Sequence, residues 1–294
     1  MSFYATFCRM LRVCGMAPAL LMLSGQDACG PLCDDADDDG VCDDADLCLG
    51  GDDGIDADGD GVPDACEGFV QVDDGRFMVD GSPFYFIGFN SYYLMVYATD
   101  PGLRPYVDEV LEEAAARGTT VLRTSGFNDG DGWNALQTAP GVYDEAVFQG
   151  LDYVLARSAA LGLRVILPLV NNWSDYGGMD QYVDWSPTAL MHDDFYTDVA
   201  TRQYYRDHLE AMVTRVNTVT GVAYGDDPTL LAWELANEPR CPTDDSGDTL
   251  AAWIDDMSGY LKDIDPRHLV TTGLEGFYDD GVGPWYLNGS QGVD

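Results

Sequence analysis

Short apolar runs alternate with longer amphipathic stretches from residue 69 to the end of the chain. Residues 164–170 are almost wholly apolar, as expected for a strand that is covered on both faces. Residues 105–118 instead place apolar side chains at helical spacing between an opening proline and a closing glycine, which predicts a helix. The same pattern predicts further helices near 145–161, 195–216 and 250–261, and strands at 84–90, 119–125, 164–170, 269–275 and in a run that ends at Glu238.

Strands that alternate with helices indicate a parallel α/β fold. A doubly wound sheet is the competing architecture, but no glycine-rich phosphate loop follows the first predicted strand. Polar side chains at the ends of several strands favour a (β/α)8 TIM barrel instead, and such a barrel needs about 250 residues and eight strands. Residues 69–294 supply only five predicted strands, so we expect a barrel that is incomplete in this chain, with about five βα units.

Residues 1–28 have the pattern of an export signal. Arg9 and Arg12 form a basic start, and an apolar core follows at 13–23. This core is too short to span a membrane. Five cysteines lie between residues 29 and 66, and disulfides persist outside the cytosol. We therefore predict a signal peptide at 1–28 and a secreted, extracellular protein.

The composition is strongly acidic, with 14 Lys and Arg against 52 Asp and Glu and a net charge of -38. Such a chain repels nucleic acid and anionic membrane surfaces, so we predict neither as a partner. A neutral polysaccharide is compatible with this charge. The acidic residues are concentrated in a small cysteine-rich segment, residues 29–68. We interpret this segment as separate from the barrel at 69–294.

The acidic segment contains two D-x-D-x-D-G units. Alternate aspartates with a glycine at the sixth position wrap oxygen ligands around a hard cation, whereas zinc prefers Cys and His. An EF-hand would need flanking helices, but Gly, Pro and Cys flank both units. The segment resembles thrombospondin type 3 repeats, which implies structural Ca²⁺; a solvated acidic linker is the alternative. The predicted ligands are Asp35, Asp37, Asp39, Asp43, Asp56, Asp58, Asp60 and Asp64.

Cys42, Cys48 and Cys66 are interleaved with these aspartates. We expect them to form disulfides, because cysteines in an exported acidic repeat are more typical of cross-links than of free thiols. The sequence does not determine their pairing.

The sequence Trp-Glu-Leu-Ala-Asn-Glu-Pro at 233–239 follows an apolar run, so Asn237 and Glu238 should emerge at the carboxyl end of a buried strand. Barrels place their catalytic side chains there. A carboxyl group beside an amide suits general acid catalysis on a sugar, provided that its surroundings keep it protonated.

Two other carboxylates have to be weighed as partners of Glu238. On a continuous strand, Glu234 would lie about 13 Å from Glu238, too far for a retaining pair, so we expect Glu234 to be an internal polar contact. Judged from this chain alone, Glu275 at the end of the next strand is the better nucleophile.

Six stretches together resemble the first part of a glycoside hydrolase family 5 β-mannanase: 88–92, 122–124, 169–178, 181–185, 226–229 and 233–240. The block at 169–178 is similar to mannanases rather than cellulases. The resemblance implies a retaining (β/α)8 barrel that needs no cofactor for catalysis. It also places the nucleophile on a seventh strand beyond Asp294, not at Glu275. On this basis we expect a truncated chain that would not hydrolyse mannan alone.

The resemblance also implies roles for individual residues. Glu238 would be the general acid/base, and Asn237 would hold the 2-hydroxyl of the sugar at the cleavage point. Arg123 would steady the nucleophilic carboxylate, and Trp173 would stack on a sugar. Asn172 and Tyr92 are further candidates for substrate binding.

The predicted function is that of a secreted endo-β-1,4-mannanase acting on mannan, glucomannan or galactomannan. A related β-1,4-glucanase is the alternative among enzymes, and a catalytically inactive carbohydrate-binding protein is the alternative from another class. A calcium-dependent adhesion module would explain the acidic repeats, but not the five strands or the Asn-Glu pair.

Overall fold

The computed structural model describes residues 35, 37, 39–43, 45–48, 51–57, 59 and 61–275. The chain divides into two compact units, Met1–Ala65 and Cys66–Asp294. The predicted signal peptide lies outside the described residues, as do Asp58 and Asp60 of the predicted calcium ligands. Within the described part, no helix combines the length and the apolar character that a membrane span requires.

Turns and bends dominate the described residues of the first unit, and a 3-10 helix begins at Asp64 near its end. Aspartate side chains hold these turns by accepting backbone N–H groups. Asp35 Oδ2 accepts from Gly40 N at 3.1 Å, and Asp56 Oδ2 accepts from Gly61 N at 3.0 Å. Cys42, Cys48 and Cys66 are disulfide-bonded, as the sequence predicts.

The second unit contains a parallel sheet of five strands, which confirms the predicted α/β architecture. The strands of the described residues, in chain order, are β1 (Gln71–Asp73), β2 (Arg76–Val79), β3 (Ser82–Pro83), β4 (Gly88–Asn90), β5 (Val121–Arg123), β6 (Gln137–Ala139), β7 (Val142–Tyr143), β8 (Arg164–Pro168), β9 (Leu230–Glu234) and β10 (Leu269–Thr271). The parallel sheet has the order β10-β9-β8-β5-β4. The strands β1–β3 form an antiparallel sheet, and β6 pairs with β7 as a hairpin.

Helices connect the strands of the parallel sheet. The described α-helices are α1 (Leu94–Ala98), α2 (Arg104–Ala116), α3 (Glu145–Ala160), α4 (Gly178–Trp185), α5 (Val199–Thr214) and α6 (Asp248–Ile264). Short 3-10 helices lie at Asp64–Cys66, His192–Tyr196 and Tyr224–Asp226. Asp144 and Asp198 cap α3 and α5 by accepting N–H groups of the first turn, a favourable arrangement at a helix N-terminus.

Alternate residues of the parallel strands pack on opposite faces of the sheet. Leu122, Val165 and Leu167 belong to the main core beneath the helices, whereas Val121 and Leu231 belong to a smaller apolar cluster. This alternation follows from the two-residue period of a strand and requires both faces to be apolar.

The predicted helices at 105–118, 145–161 and 250–261 agree with α2, α3 and α6. The prediction that the fourth strand runs to Glu238 is wrong, because β9 ends at Glu234. The strands β1–β3, the β6–β7 hairpin, α1 and α4 were not predicted from the sequence. These elements are short, and the three strands of β1–β3 have mostly exposed or half-exposed side chains, so they carry little hydrophobic pattern.

Candidate active site

A cavity of about 490 Å³ opens beyond the carboxyl ends of the parallel strands. Five of the six predicted catalytic or substrate-binding residues line it: Tyr92, Arg123, Trp173, Asn237 and Glu238. Asn90, Asp175 and Tyr176 line it too, although the sequence analysis did not include them among its site residues. The structure thus brings together side chains that follow four different strands, because the carboxyl ends of parallel strands meet at one edge of a sheet.

Glu238 owes its position to an irregular backbone rather than to the end of a strand. Its φ of 54° lies in the left-handed region, which is uncommon for a glutamate. Its N–H donates to Gly273 O at 3.0 Å, beside the neighbouring strand β10. A Cβ on Gly273 would lie 1.9 Å from Ala236 O, so only glycine allows this close approach. The spacing of about 13 Å that a continuous strand would give between Glu234 and Glu238 therefore does not apply.

Trp173 holds the carboxyl group of Glu238. Its indole Nε1–H donates to Glu238 Oε2 at 2.7 Å. The guanidinium carbon of Arg240 lies 5.0 Å from the centre of the Trp173 ring, and Arg240 forms an ion pair with Glu275. One face of the indole is thus covered by a cation, and the ring keeps 41% of its surface exposed towards the cavity and solvent.

Arg123 organises the floor of the cavity. Its guanidinium group donates two hydrogen bonds to Glu234, one to Asn237 Oδ1 at 2.8 Å and one to Asn90 Oδ1 at 3.1 Å. Glu234 is only 4% exposed, and the pair confirms the expectation that Glu234 is an internal polar contact. Burial raises the pKa of Glu234, Arg123 opposes this rise, and the nearby charge of Glu238 adds to it. A carboxylate in such a setting is stable only while its cation is in place.

The amide of Asn237 is fixed on both sides. Its Oδ1 accepts from Arg123, and its Nδ2 donates to Asn171 Oδ1 at 2.9 Å. An amide NH₂ carries two hydrogens, so the second one stays available to a ligand. Asn172 holds the backbone on both sides of Glu238. Its N–H donates to Asn237 O, and its Oδ1 accepts from Arg240 N. Asn172 is itself buried and does not line the cavity.

The loop that carries Trp173 turns at two glycines against Asp129. Gly177 has a φ of 80°, and a Cβ there would lie 2.2 Å from Asp129 O. Gly178 has a φ of 62°, and a Cβ there would lie 2.4 Å from Trp173 O. The N–H of Asp129 donates to Tyr176 O at 2.8 Å. Asp129 is buried, which raises the pKa of its carboxyl well above the usual value. The adjacent glycines were the only signal of this packing in the sequence.

Replacing Gly177 by Ala should displace this loop. A left-handed conformation costs a non-glycine residue roughly 1–2 kcal/mol, and the contact with Asp129 O adds to that cost. We expect a fall in the free energy of unfolding larger than this amount, together with altered fluorescence of Trp173. Gly141→Ala is the matched control, because Gly141 has a φ of 69° but no atom within 4 Å of the added Cβ. Equal losses in the two variants, measured by urea unfolding, would contradict the role of the contact.

A family model described as GH family 5 beta-mannosidase-like matches residues 67–287. The chain belongs to this glycoside hydrolase family. The match includes every residue that lines the cavity, so the site lies within the family's own domain. The family assignment agrees with the parallel sheet and with the position of the site at the carboxyl ends of its strands.

Curated relatives from plants are similar over most of this family 5 chain. A putative mannan endo-1,4-beta-mannosidase 5 of Oryza sativa subsp. japonica is 49% identical over 251 residues, which is 82% of this chain and 51% of the relative. A mannan endo-1,4-beta-mannosidase 5 of Solanum lycopersicum is 51% identical over 220 residues, which is 74% of this chain and 53% of the relative. The chain thus spans about half the length of the curated relatives it matches.

Solved structures of mannanases have a similar fold over about three quarters of this chain. An endo-beta-1,4-mannanase from Thermotoga petrophila matches with a TM-score of 0.64 at 42% identity, over 73% of this chain and 50% of that chain. An endo-1,4-beta-mannanase from Rhizomucor miehei matches with a TM-score of 0.68 at 37% identity, over 77% of this chain and 66% of that chain.

Proposed function

We propose that the protein is an endo-acting, retaining glycoside hydrolase that cleaves β-1,4-mannosidic bonds. The observation that carries the proposal is the position of Glu238 in the cavity, where its carboxyl group accepts a hydrogen bond from the indole of Trp173 and the fixed amide of Asn237 lines the same cavity. The names of the plant and microbial relatives support mannan as the substrate class.

In the proposed mechanism Glu238 protonates the glycosidic oxygen as the bond to the leaving sugar breaks. It then takes a proton from the water that hydrolyses the glycosyl-enzyme intermediate. Asn237 donates to the 2-hydroxyl, a contact that strengthens as the transition state forms. Trp173 both orients the Glu238 carboxyl and presents an apolar ring to the sugar.

The nucleophile of the retaining mechanism has to be a second carboxylate. Glu234 and Glu275 are the candidates nearest in sequence, but both form ion pairs with arginines. Glu234 is bound by Arg123, and Glu275 forms an ion pair with Arg240. We therefore propose that neither is the nucleophile and that this carboxylate is contributed from beyond the described residues. A retaining mechanism places it about 5–5.5 Å from the acid/base carboxyl.

The test is a comparison of substrates with the protein expressed from its complete gene. We expect release of reducing ends from galactomannan and glucomannan, a rapid fall in polymer size, and little action on carboxymethylcellulose. Proton NMR should show the β-anomer as the first product. Faster hydrolysis of carboxymethylcellulose would favour the β-1,4-glucanase, and binding of mannan without hydrolysis would favour a carbohydrate-binding protein.

For the acidic segment we propose binding of structural Ca²⁺. One carboxylate oxygen from each of Asp35, Asp37 and Asp39 lies within 4.8 Å of the others. Asp35 Oδ1, Asp37 Oδ2 and Asp53 Oδ1 are buried and have no hydrogen-bond partner, whereas a cation would satisfy them. Burial, followed by the charges of Asp53, Asp37 and Asp39, raises the pKa of Asp46, and a bound cation would relieve this repulsion. The test is calorimetric titration of the protein with Ca²⁺. If no heat of binding is detected, the proposal is refuted.

We also propose that the protein is exported. The three disulfide-bonded cysteines support this, since such bonds form and persist in oxidising compartments. Detection of the protein only inside the producing cells would contradict it.

A further inference from the structure

A row of four aromatic rings leads out of the cavity along α1; it consists of Tyr92, Tyr93, Tyr97 and Trp133. Tyr92 lines the cavity with Tyr176, and their ring centres are 5.9 Å apart. The successive ring centres of the row are then separated by 5.7, 5.0 and 5.9 Å. The four rings therefore contact one another in succession from the cavity to Trp133. Tyr92 and Trp133 are exposed, whereas Tyr93 and Tyr97 are partly buried against the core.

The backbone of Trp133 is held by hydrogen bonds from a buried side chain. The buried Asn128 donates from Nδ2 to the carbonyl oxygens of Trp133 and Asn134, at 3.0 and 2.7 Å. Asn134 has a φ of 51° and donates from Nδ2 to Val96 O at 2.8 Å. Val96 is part of α1, the helix that also carries Tyr97, so Trp133 and Tyr97 have a fixed relation to one another.

The Trp133 side chain nevertheless remains 60% exposed. Its contact with Tyr97 is T-shaped, with 79° between the ring planes, and such a contact uses the face of only one of the two rings. A large apolar surface held rigidly in water is unfavourable for folding alone and is typical of a binding site. The neighbouring Asp131 and the net charge of -38 disfavour an anionic ligand.

We propose that Trp133 and Tyr97 form a distal subsite that binds a neutral hexose unit of the polysaccharide chain, separated from the cleavage point by the aromatic row. An exposed face of the Trp133 ring would stack on the apolar face of the sugar, while Tyr97 packs against that ring, and no hydroxyl-specific contact is needed. The subsite rests on the proposed function, because the cavity must hold the same chain. Its consequence is a preference for long substrates over short ones.

The test measures the binding of β-1,4-linked mannohexaose and mannobiose by calorimetry in a Glu238→Gln background, in which cleavage is slow, and all variants named below carry that substitution as well. In Trp133→Ala we expect the affinity for mannohexaose to fall about tenfold and the affinity for mannobiose to stay unchanged, as expected for the loss of one well-packed aromatic contact. Trp133→Tyr should retain most of the affinity because it keeps a ring. Tyr106→Ala is the matched control, since Tyr106 on α2 is 59% exposed and lies outside the aromatic row. Thermal unfolding checks that each variant is folded.

The outcomes separate the subsite from the proposed function. If the Glu238→Gln protein binds both sugars and the added Trp133→Ala substitution leaves the affinity for mannohexaose unchanged, the distal subsite is wrong and the function stands. If the protein binds cellohexaose but not mannohexaose, and Trp133→Ala lowers the affinity for cellohexaose, the subsite stands and the mannan specificity is wrong. If neither sugar series binds, both are overturned.

Discussion

Replacement of Glu238 by Gln is expected to lower kcat for mannan roughly 10²–10⁴-fold, the usual contribution of a general acid/base. The amide has the size of the carboxyl group, and its oxygen still accepts the hydrogen bond from Trp173 Nε1, but it has no proton to give to the leaving oxygen. The free energy of unfolding should change by less than about 1 kcal/mol, because the substitution creates no cavity and no unpaired charge. The measurement combines a reducing-sugar assay on the protein expressed from its complete gene with thermal unfolding.

An activated substrate distinguishes an acid/base from a nucleophile. A dinitrophenyl β-mannoside needs no proton on its leaving group, so Glu238→Gln should still form the glycosyl-enzyme intermediate. Azide, which attacks that intermediate without a general base, should restore turnover. Glu275→Gln serves as the comparison. If Glu275→Gln, and not Glu238→Gln, abolished the first step with the activated substrate, Glu275 would be the nucleophile, contrary to our proposal.

Replacement of Asp152 by Asn should destabilise the protein by about 3–5 kcal/mol, as expected when one partner of a buried ion pair is removed. Asp152 is fully buried in α3 and accepts hydrogen bonds from Arg215, Tyr224 and Thr218. An amide NH₂ would face the N–H and O–H donors that the carboxylate now satisfies, and Arg215 would keep only its exposed partner Glu145. Urea unfolding measures the loss.

The same residue contributes to the dependence of stability on pH. Burial alone would raise the pKa of Asp152, but the hydrogen bonds from Arg215, Tyr224 and Thr218 outweigh it, and the pKa is lowered. As the pH falls, the carboxyl group of Asp152 therefore becomes protonated first in the unfolded chain, near the ordinary carboxyl pKa of about 3.9. The stabilisation is complete above that pH and is lost as the pH falls through the lowered value. Asp152→Asn should accordingly show a shallower loss of stability in acid.

Asp256→Asn provides the control for both measurements. Asp256 also pairs with arginines, Arg202 and Arg206, but its side chain is 30% exposed. Ion pairs open to solvent contribute about 0–1 kcal/mol, so the loss should be several times smaller than at Asp152. Equal losses in the two variants would show that burial does not decide the strength of the Asp152 network.

The sequence predicted those parts of the fold that depend on local pattern. The apolar periodicity of residues 105–118 and 145–161 is sufficient for α2 and α3, because each helix satisfies its own backbone hydrogen bonds. The same holds for the apolar run at 164–170, which forms β8. The shared edge of parallel strands then predicts that Arg123, Asn237 and Glu238 lie near one another, but it does not predict the backbone conformation that orients Glu238.

The geometry of the site required contacts that no local pattern contains. The left-handed backbone of Glu238 depends on Gly273, which lies beyond a complete helix, α6. The partner of Arg123 is Glu234, 111 residues away, and the sequence alone offered several acids for that role. The burial of Asp129 was not predicted, because it depends on the packing of Asp129 against the glycine turn of the loop at 171–178.

The hydrogen bond from Glu238 N to Gly273 O has a consequence for how substitutions propagate through this protein. It anchors the proposed acid to β10, while the backbone of Asn237 is anchored to Val170 beside β8. The position of the Glu238 carboxyl group therefore depends on how β8 and β10 are aligned with β9, the strand between them. A substitution that shifts β10 should therefore also tilt the proposed proton donor, although the substituted residue need not contact the substrate.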